Sequence, residues 1–99
     1  MIFRTSHGEI TVELDAKNAP VTVDNFLTNY VERGFYNDTI FHYVESSMIV
    51  GGGYDSQNQL KETRAEIRCE ADNGVSNVRG TLAMARAPDF AHSATSQFF

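Results

Sequence analysis

Phe41-His42-Tyr43-Val44-Glu45-Ser46-Ser47-Met48-Ile49-Val50-Gly51-Gly52-Gly53 is the stretch whose reading decides the fold. Thr39 to Val44 is rich in β-branched and aromatic residues, Met48-Ile49-Val50 is a second apolar run, and the segment between them is polar. Such side chains fit a pleated, half-buried surface, so the pattern predicts two short strands joined by a turn. The three glycines that follow lack the downstream lysine of a phosphate loop and the spacing of a dinucleotide fingerprint. They read as a strand end where backbones approach closely. Residues 51 to 63 as a whole are glycine-rich and then polar, which predicts a surface loop.

Upstream, Asn37-Asp38 marks a turn. Val23, Phe26, Leu27, Tyr30 and Val31 recur at the spacing of one helical face, with Pro20 suited to a first turn and Gly34 to the C′ position. Ile10, Val12 and Leu14 alternate with polar residues and can pair with Ile2-Phe3-Arg4-Thr5 across Ser6-His7-Gly8, predicting an opening hairpin. Downstream, Ala65 to Cys69 is weakly strand-like, and Asn73-Gly74 is a turn signal. Thr81 to Ala85 predicts a buried strand bounded by Gly80 and Pro88. No repeat or linker interrupts the chain, so residues 1–99 form one domain, mostly β with a packed helix, in a small barrel or curled sheet.

With 41% hydrophobic residues, seven Phe and four Tyr, the 99 residues suffice for one core. Thirteen acids against eight bases leave a net charge of -5, which opposes phosphate backbones, so nucleic acid is not an expected partner. No apolar stretch is long enough for a signal h-region or a membrane span, and the expected location is the cytoplasm without membrane attachment. Cys69 is the single cysteine, so no internal disulfide forms; it reads as a small buried hydrophobe. His7, His42 and His92 are widely separated without metal-ligand spacing, and no Gly-x-Ser-x-Gly elbow surrounds a serine. Metal and hydrolase chemistry therefore find no support in the pattern.

Taken with Ala19 to Leu27, Gly34 to His42, Gly80-Thr81-Leu82-Ala83-Met84-Ala85-Arg86 and Ser93-Ala94-Thr95-Ser96-Gln97-Phe98-Phe99, the opening stretch resembles the cyclophilins, the peptidyl-prolyl isomerase family. The likeness spans essentially the whole chain and is greatest to the small single-domain cyclophilins of bacteria. It implies an eight-stranded β-barrel capped by helices, of which these residues cover the first half or somewhat more. The cyclophilin-like barrel is therefore expected to be incomplete at the C-terminus, without a further groove segment, a groove histidine and the closing strands and helix. A sheet left open at Phe99 is expected to promote self-association.

The resemblance also implies an activity: easing rotation about X-Pro bonds in Pro-containing peptides or unfolded protein segments, in support of protein folding. That task needs no cofactor, because it lowers a barrier of ~18–20 kcal/mol by weakening one amide's double-bond character. In the family an arginine donates towards the prolyl nitrogen and apolar residues hold the ring. Tyr43 stands at the arginine position and Val50 at that of a substrate-orienting glutamine. Glu45-Ser46-Ser47-Met48 is one residue short, so a pocket phenylalanine just before Met48 is deleted or replaced by Ser47. Met48, Ala85, Ala87, Gln97 and Phe99 match groove positions, with Arg86 beside them in a variable one. A phenol is neutral and cannot reproduce a guanidinium fork, so the resemblance implies a degenerate active site. The alternatives are a non-catalytic binder of Pro-containing or extended peptides, and an inactive fragment; Met48, Met84, Phe98 and Phe99 also suit an ordinary β core.

Overall fold

A computed structural model describes residues 1–99. Strands β1 (Ile2–Thr5) and β2 (Gly8–Thr11) form the expected antiparallel hairpin, with Ile2 opposite Thr11 and Thr5 opposite Gly8. Gly8 turns the chain at a φ of 122°, a conformation open to glycine because it has no Cβ. Regular pairing ends at Thr11, short of the alternation through Leu14. One further pair prolongs it: Val12 N–H donates to Met1 O at 2.8 Å and the Met1 amino group to Val12 O at 2.9 Å.

The helical face is present, but the helix changes its winding. Helix α1 (Pro20–Asp24) runs straight into a π-helical segment, Asn25–Val31. Glu32 N–H donates to Leu27 O at 2.8 Å and Phe35 N–H to Tyr30 O at 3.0 Å, both five residues back. Phe26 and Tyr30 are buried as the spacing predicts, and Val23, Leu27 and Val31 are half-buried. The wider turn also brings Asn25 into the interior, five residues from Tyr30, where its Nδ2 donates to Thr95 O at 3.4 Å. Gly34, at a φ of 70°, lies one position beyond C′, because the helix is capped at Glu32.

Ala19 contributes no side-chain cap to α1. The capping group comes from 48 residues downstream of Thr22: Glu70 Oε1 accepts Thr22 N–H at 2.6 Å and Thr22 Oγ1 at 2.7 Å, while Oε2 accepts Val21 N–H at 3.2 Å. Partial desolvation pushes this carboxyl up, but those hydrogen bonds and the Arg68 charge outweigh it and hold Glu70 below the ordinary glutamate value.

Strands β3 (Thr39–Val44) and β4 (Ile49–Asp55) form a second antiparallel hairpin, with Tyr43 opposite Val50 and register irregularities between Thr39 and Tyr43. Here the loop expected from Gly51 onward is corrected. Gly51, Gly52 and Gly53 are buried strand residues, since another segment lies against them: Gly51 and Phe98 exchange both backbone hydrogen bonds at 3.0 Å. The close-approach reading of these glycines holds, because a Cβ at Gly51, Gly52 or Gly53 would meet its nearest neighbour at 2.8, 2.7 or 2.6 Å. Residues 97–99 pair in turn with 83–85, so the hydrogen-bonded order is β3, β4, 97–99, 83–85. The strand predicted at Thr81–Ala85 is reduced to one bridge, Met84 with Phe98, and that at Ala65–Cys69 to Ile67 with Ala94.

Phe98 is the hub of the core. Its ring stacks on Phe3 at 5.1 Å and meets Tyr36 at 5.4 Å, Phe26 at 6.1 Å and Phe41 at 6.2 Å edge-on, joining both hairpins and the helix. Tyr36 Oη donates to Ser96 O and Ser96 Oγ to Gly52 O, each at 2.7 Å. Burial, with the nearby Tyr30, pushes the Tyr36 phenol far up, so it stays a neutral donor. The two hairpins are separate sheets, and a cleft of roughly 1270 Å³ opens beside Phe98. No helix is long and apolar enough to cross a membrane.

Gly52→Ala puts a methyl 2.7 Å from the Phe98 ring and 2.8 Å from the Ser96 carbonyl, at a φ of 86°. Overpacking and backbone strain together are expected to cost about 2–4 kcal/mol in urea unfolding. Glu70→Ala is expected to cost about 1 kcal/mol at pH 7 by removing the cap. Because the folded carboxyl lies below its unfolded value, this contribution is full above the ordinary glutamate pKa and fades as pH falls through the folded one. Urea midpoints of wild type and variant should therefore converge in acid.

Candidate functional site

Directly opposed residues of an antiparallel pair share a face, so the β3–β4 register sets Tyr43 beside Val50. The hairpin turns through Ser46-Ser47, closed by Glu45 N–H donating to Met48 O at 3.0 Å. Tyr43 is 48% exposed and Met48, just past the turn, 39%. The Tyr43 hydroxyl is already engaged: it donates to Glu45 Oε2 at 2.9 Å, while Ser47 Oγ donates to Oε1 at 2.8 Å. These two hydrogen bonds, that of Ser47 foremost, hold the Glu45 carboxyl below its ordinary range. The same carboxylate pushes the Tyr43 phenol up, by its hydrogen bond first and its charge second. The tip of the hairpin thus presents a carboxylate and a neutral phenol, with no cation.

Across β4 the arrangement differs. The Gln97 side chain lies over Gly53, its Cγ and Nε2 both 2.6 Å from where a Cβ would stand, and its amide makes no hydrogen bond within the chain. Ala85 N–H donates to Gln97 O at 2.9 Å, which places Ala85 on the strand next to it. Phe99 exchanges backbone hydrogen bonds with Ala83 and lines the open cleft, half-buried. Arg86 is exposed and turned to Cys69, with Nη1 3.1 Å from Sγ. Ala87 N–H donates to Ser93 Oγ at 2.7 Å, in the exposed segment that follows. Tyr43 with Val50, and Gln97 with Ala85, are therefore brought together on neighbouring strands, whereas Arg86 and Ala87 belong to the loop beyond.

Sequence reasoning missed Glu45 as the partner of Tyr43 and Ser47 as the second donor to the same carboxylate. The i, i+2 spacing of Tyr43 and Glu45 on one strand face was the available signal. Cys69 is also corrected: it is half-buried and hydrogen-bonded, its N–H donating to His92 Nδ1 at 2.9 Å and its sulfur receiving Arg86.

The family model described as "Cyclophilin type peptidyl-prolyl cis-trans isomerase/CLD" matches residues 1–99. The chain belongs to the cyclophilin family. It is 52% identical over 100 residues to peptidyl-prolyl cis-trans isomerase B of Escherichia coli (strain K12), covering 98% of this chain and 58% of that protein. Identity to peptidyl-prolyl cis-trans isomerase cyp18 of Streptomyces antibioticus is 54% over 96 residues, covering 96% of this chain and 57% of the relative. For peptidyl-prolyl cis-trans isomerase A of Dickeya dadantii (strain 3937) it is 49% over 100 residues, all of this chain and 52% of the relative. This cyclophilin chain thus spans about half the length of the curated relatives it matches.

Removing either donor should raise the Glu45 pKa. In Tyr43→Phe and in Ser47→Ala, side-chain carboxyl titration by NMR is expected to move Glu45 up towards the ordinary value, with Ser47→Ala giving the larger change. A Glu45 titration unmoved by both substitutions would show that neither hydroxyl holds the carboxylate in solution.

Proposed function

We propose that this chain engages X-Pro segments as a cyclophilin-type peptidyl-prolyl isomerase with a degenerate active site, and that it turns them over slowly. Met48, Gln97 and Phe99 form what remains of the proline pocket, with Ala85 and Ala87 flanking the peptide and Arg86 at its margin. The role is assistance to protein folding in the cytoplasm. The observation that carries the reading is the Tyr43 to Glu45 hydrogen bond of 2.9 Å, opposite an apolar Val50.

Rotation about the prolyl amide is helped by a donor that meets the nitrogen as it pyramidalises in the twisted state. At Tyr43 the donor is neutral and already bound to a carboxylate. Hydrogen bonds from charged groups contribute about 1.5–3 kcal/mol, so losing one costs roughly 10- to 150-fold in rate. Val50 removes a second polar anchor, and the Ser46-Ser47 turn offers no apolar wall to the ring. A second reading, non-catalytic binding of extended or Pro-containing peptide, is favoured by the unbonded Gln97 amide over Gly53, which is available to a peptide backbone.

Exchange between cis and trans forms of an Ala-Pro peptide, followed by NMR, distinguishes the two. Catalysis at least about 100-fold below that of the E. coli relative, run alongside, is the expected result. Saturable shift changes around Gln97 without any exchange enhancement would favour the binder, and turnover equal to the reference would defeat both readings. Tyr43→Arg alone is expected to restore less than about tenfold, because the shortened turn still leaves the ring unsupported.

A further inference from the structure

Register decides which side chains share a face at the tip of the second hairpin. Tyr43 opposes Val50 and Val44 opposes Ile49, and the next pair is closed by Glu45 N–H donating to Met48 O at 3.0 Å. Side chains alternate along a strand and opposed residues point the same way, so Tyr43, Glu45, Met48 and Val50 lie on one face. The 2.9 Å hydrogen bond from Tyr43 Oη to Glu45 Oε2 agrees with that placement.

Glu45 is the one acid among these four, and it has no cation. Its two oxygens accept the Tyr43 and Ser47 hydroxyls at 2.9 and 2.8 Å, which fills two of about four lone-pair sites and leaves the rest open. The ion pair of the chain lies elsewhere, between Arg4 and Glu9 at 3.3 Å. Arg86, at the far margin beyond Ala85, is turned to Cys69 at 3.1 Å. The two hydroxyls, that of Ser47 foremost, keep the carboxyl ionised below the ordinary glutamate range without neutralising it. Beside it the Tyr43 ring is 48% exposed, and the face of such a ring attracts an ammonium or guanidinium. A carboxylate with open acceptor sites, an exposed aromatic ring and the apolar Met48 and Val50 together match one kind of side chain, an aliphatic stem that ends in a cation.

Resting on the peptide-engaging reading above, in either of its forms, we propose that Glu45 sets the specificity of the groove, selecting X-Pro segments that carry Lys or Arg next to the proline. With the proline ring on Met48, directly opposite Glu45, the cationic side chain beside it reaches the carboxylate while its stem lies along Tyr43. An acidic neighbour of the proline meets like charge there and is disfavoured.

The test titrates isotope-labelled protein with short Ala-based peptides that hold one proline flanked, before it or after it, by Lys, Ala or Glu, and follows the Met48 and Gln97 amides by NMR. At low salt the Lys peptide is expected to bind about three- to fivefold tighter than the Ala peptide, and the Glu peptide correspondingly weaker, as for an exposed ion pair. The preference is expected to fade in about 0.5 M NaCl. Glu45→Gln, which keeps an oxygen for the Tyr43 hydroxyl, is expected to bring the Lys and Ala peptides to equal affinity, and Glu45→Lys to invert the order of the Lys and Glu peptides. The net charge of -5 also attracts cations, but Glu45→Gln changes it by a single unit. A Lys preference that survives Glu45→Gln therefore belongs to the overall charge and overturns the proposal. Equal binding of all three peptides to the wild type overturns it and leaves the peptide-engaging reading in place, whereas no shift at Met48 or Gln97 with any peptide overturns both.

Discussion

Strand β4 carries no side chain at three successive positions, and the segment ending in Phe98 lies in the room this leaves. Its two short-range anchors, the backbone exchange of Gly51 with Phe98 and the Ser96 hydroxyl on Gly52 O, both require the segment to lie close against the β4 backbone. Only then does the Phe98 ring reach Phe3, Phe26, Tyr36 and Phe41 together. Two hairpins and the helix thus meet at one aromatic ring, with Phe3 on Phe26 at 6.4 Å as a further direct contact between the first hairpin and the helix. Edge-to-face contacts of this type contribute about 0.5–1.5 kcal/mol each beyond area burial, so the ring is a large part of what holds a small core together.

The same strand divides the candidate site into two unequal halves. On the β3 side the surface chemistry is that of a hairpin tip, where the Tyr43 and Ser47 hydroxyls are both committed to Glu45. On the far side Gln97 is held between β4 and residues 83–85, with its amide uncommitted. A peptide laid across β4 would meet a spare amide on one flank and an occupied phenol beside a carboxylate on the other. Under the proposed function that asymmetry slows turnover, because stabilising a twisted amide needs a donor at the nitrogen.

Local pattern carried the elements whose contacts are local. The opening hairpin, the Phe26–Tyr30 face and strand β3 follow from period and turn chemistry within a dozen residues. The elements that escaped are set from far along the chain. Gly51–Gly53 has the composition of a loop, yet it is a strand paired with β3 on one side and, at Gly51, with Phe98 on the other. The π winding after Asp24 and the burial of Asn25 depend on Tyr30, Phe35 and Thr95 packing, which no 3.6-residue period encodes. Within the site, the juxtaposition of Tyr43 and Val50 was legible from the hairpin. The turning of Arg86 to Cys69, seventeen residues away, was not.

Holding a catalytic donor in place demands a scaffold stiffer than folding alone requires, with positions fixed to about 0.5 Å. Here the two halves of the site rest on unequal supports. Gln97 sits on a segment bonded on both sides, to Gly51 through Phe98 and to Ala85, whereas 83–85 itself is bonded on one side only and borders the cleft. Any tilt of that edge moves Ala85 relative to Met48 and Tyr43, which ride on the β3–β4 hairpin at the other end of the same ladder. In the proposed function, the placement of Ala85 relative to Met48 is therefore coupled to the position of the 83–85 edge. A residue change at Tyr43 acts on the donor alone, whereas the distance from Met48 to Ala85 depends on an edge segment that is bonded on one side only.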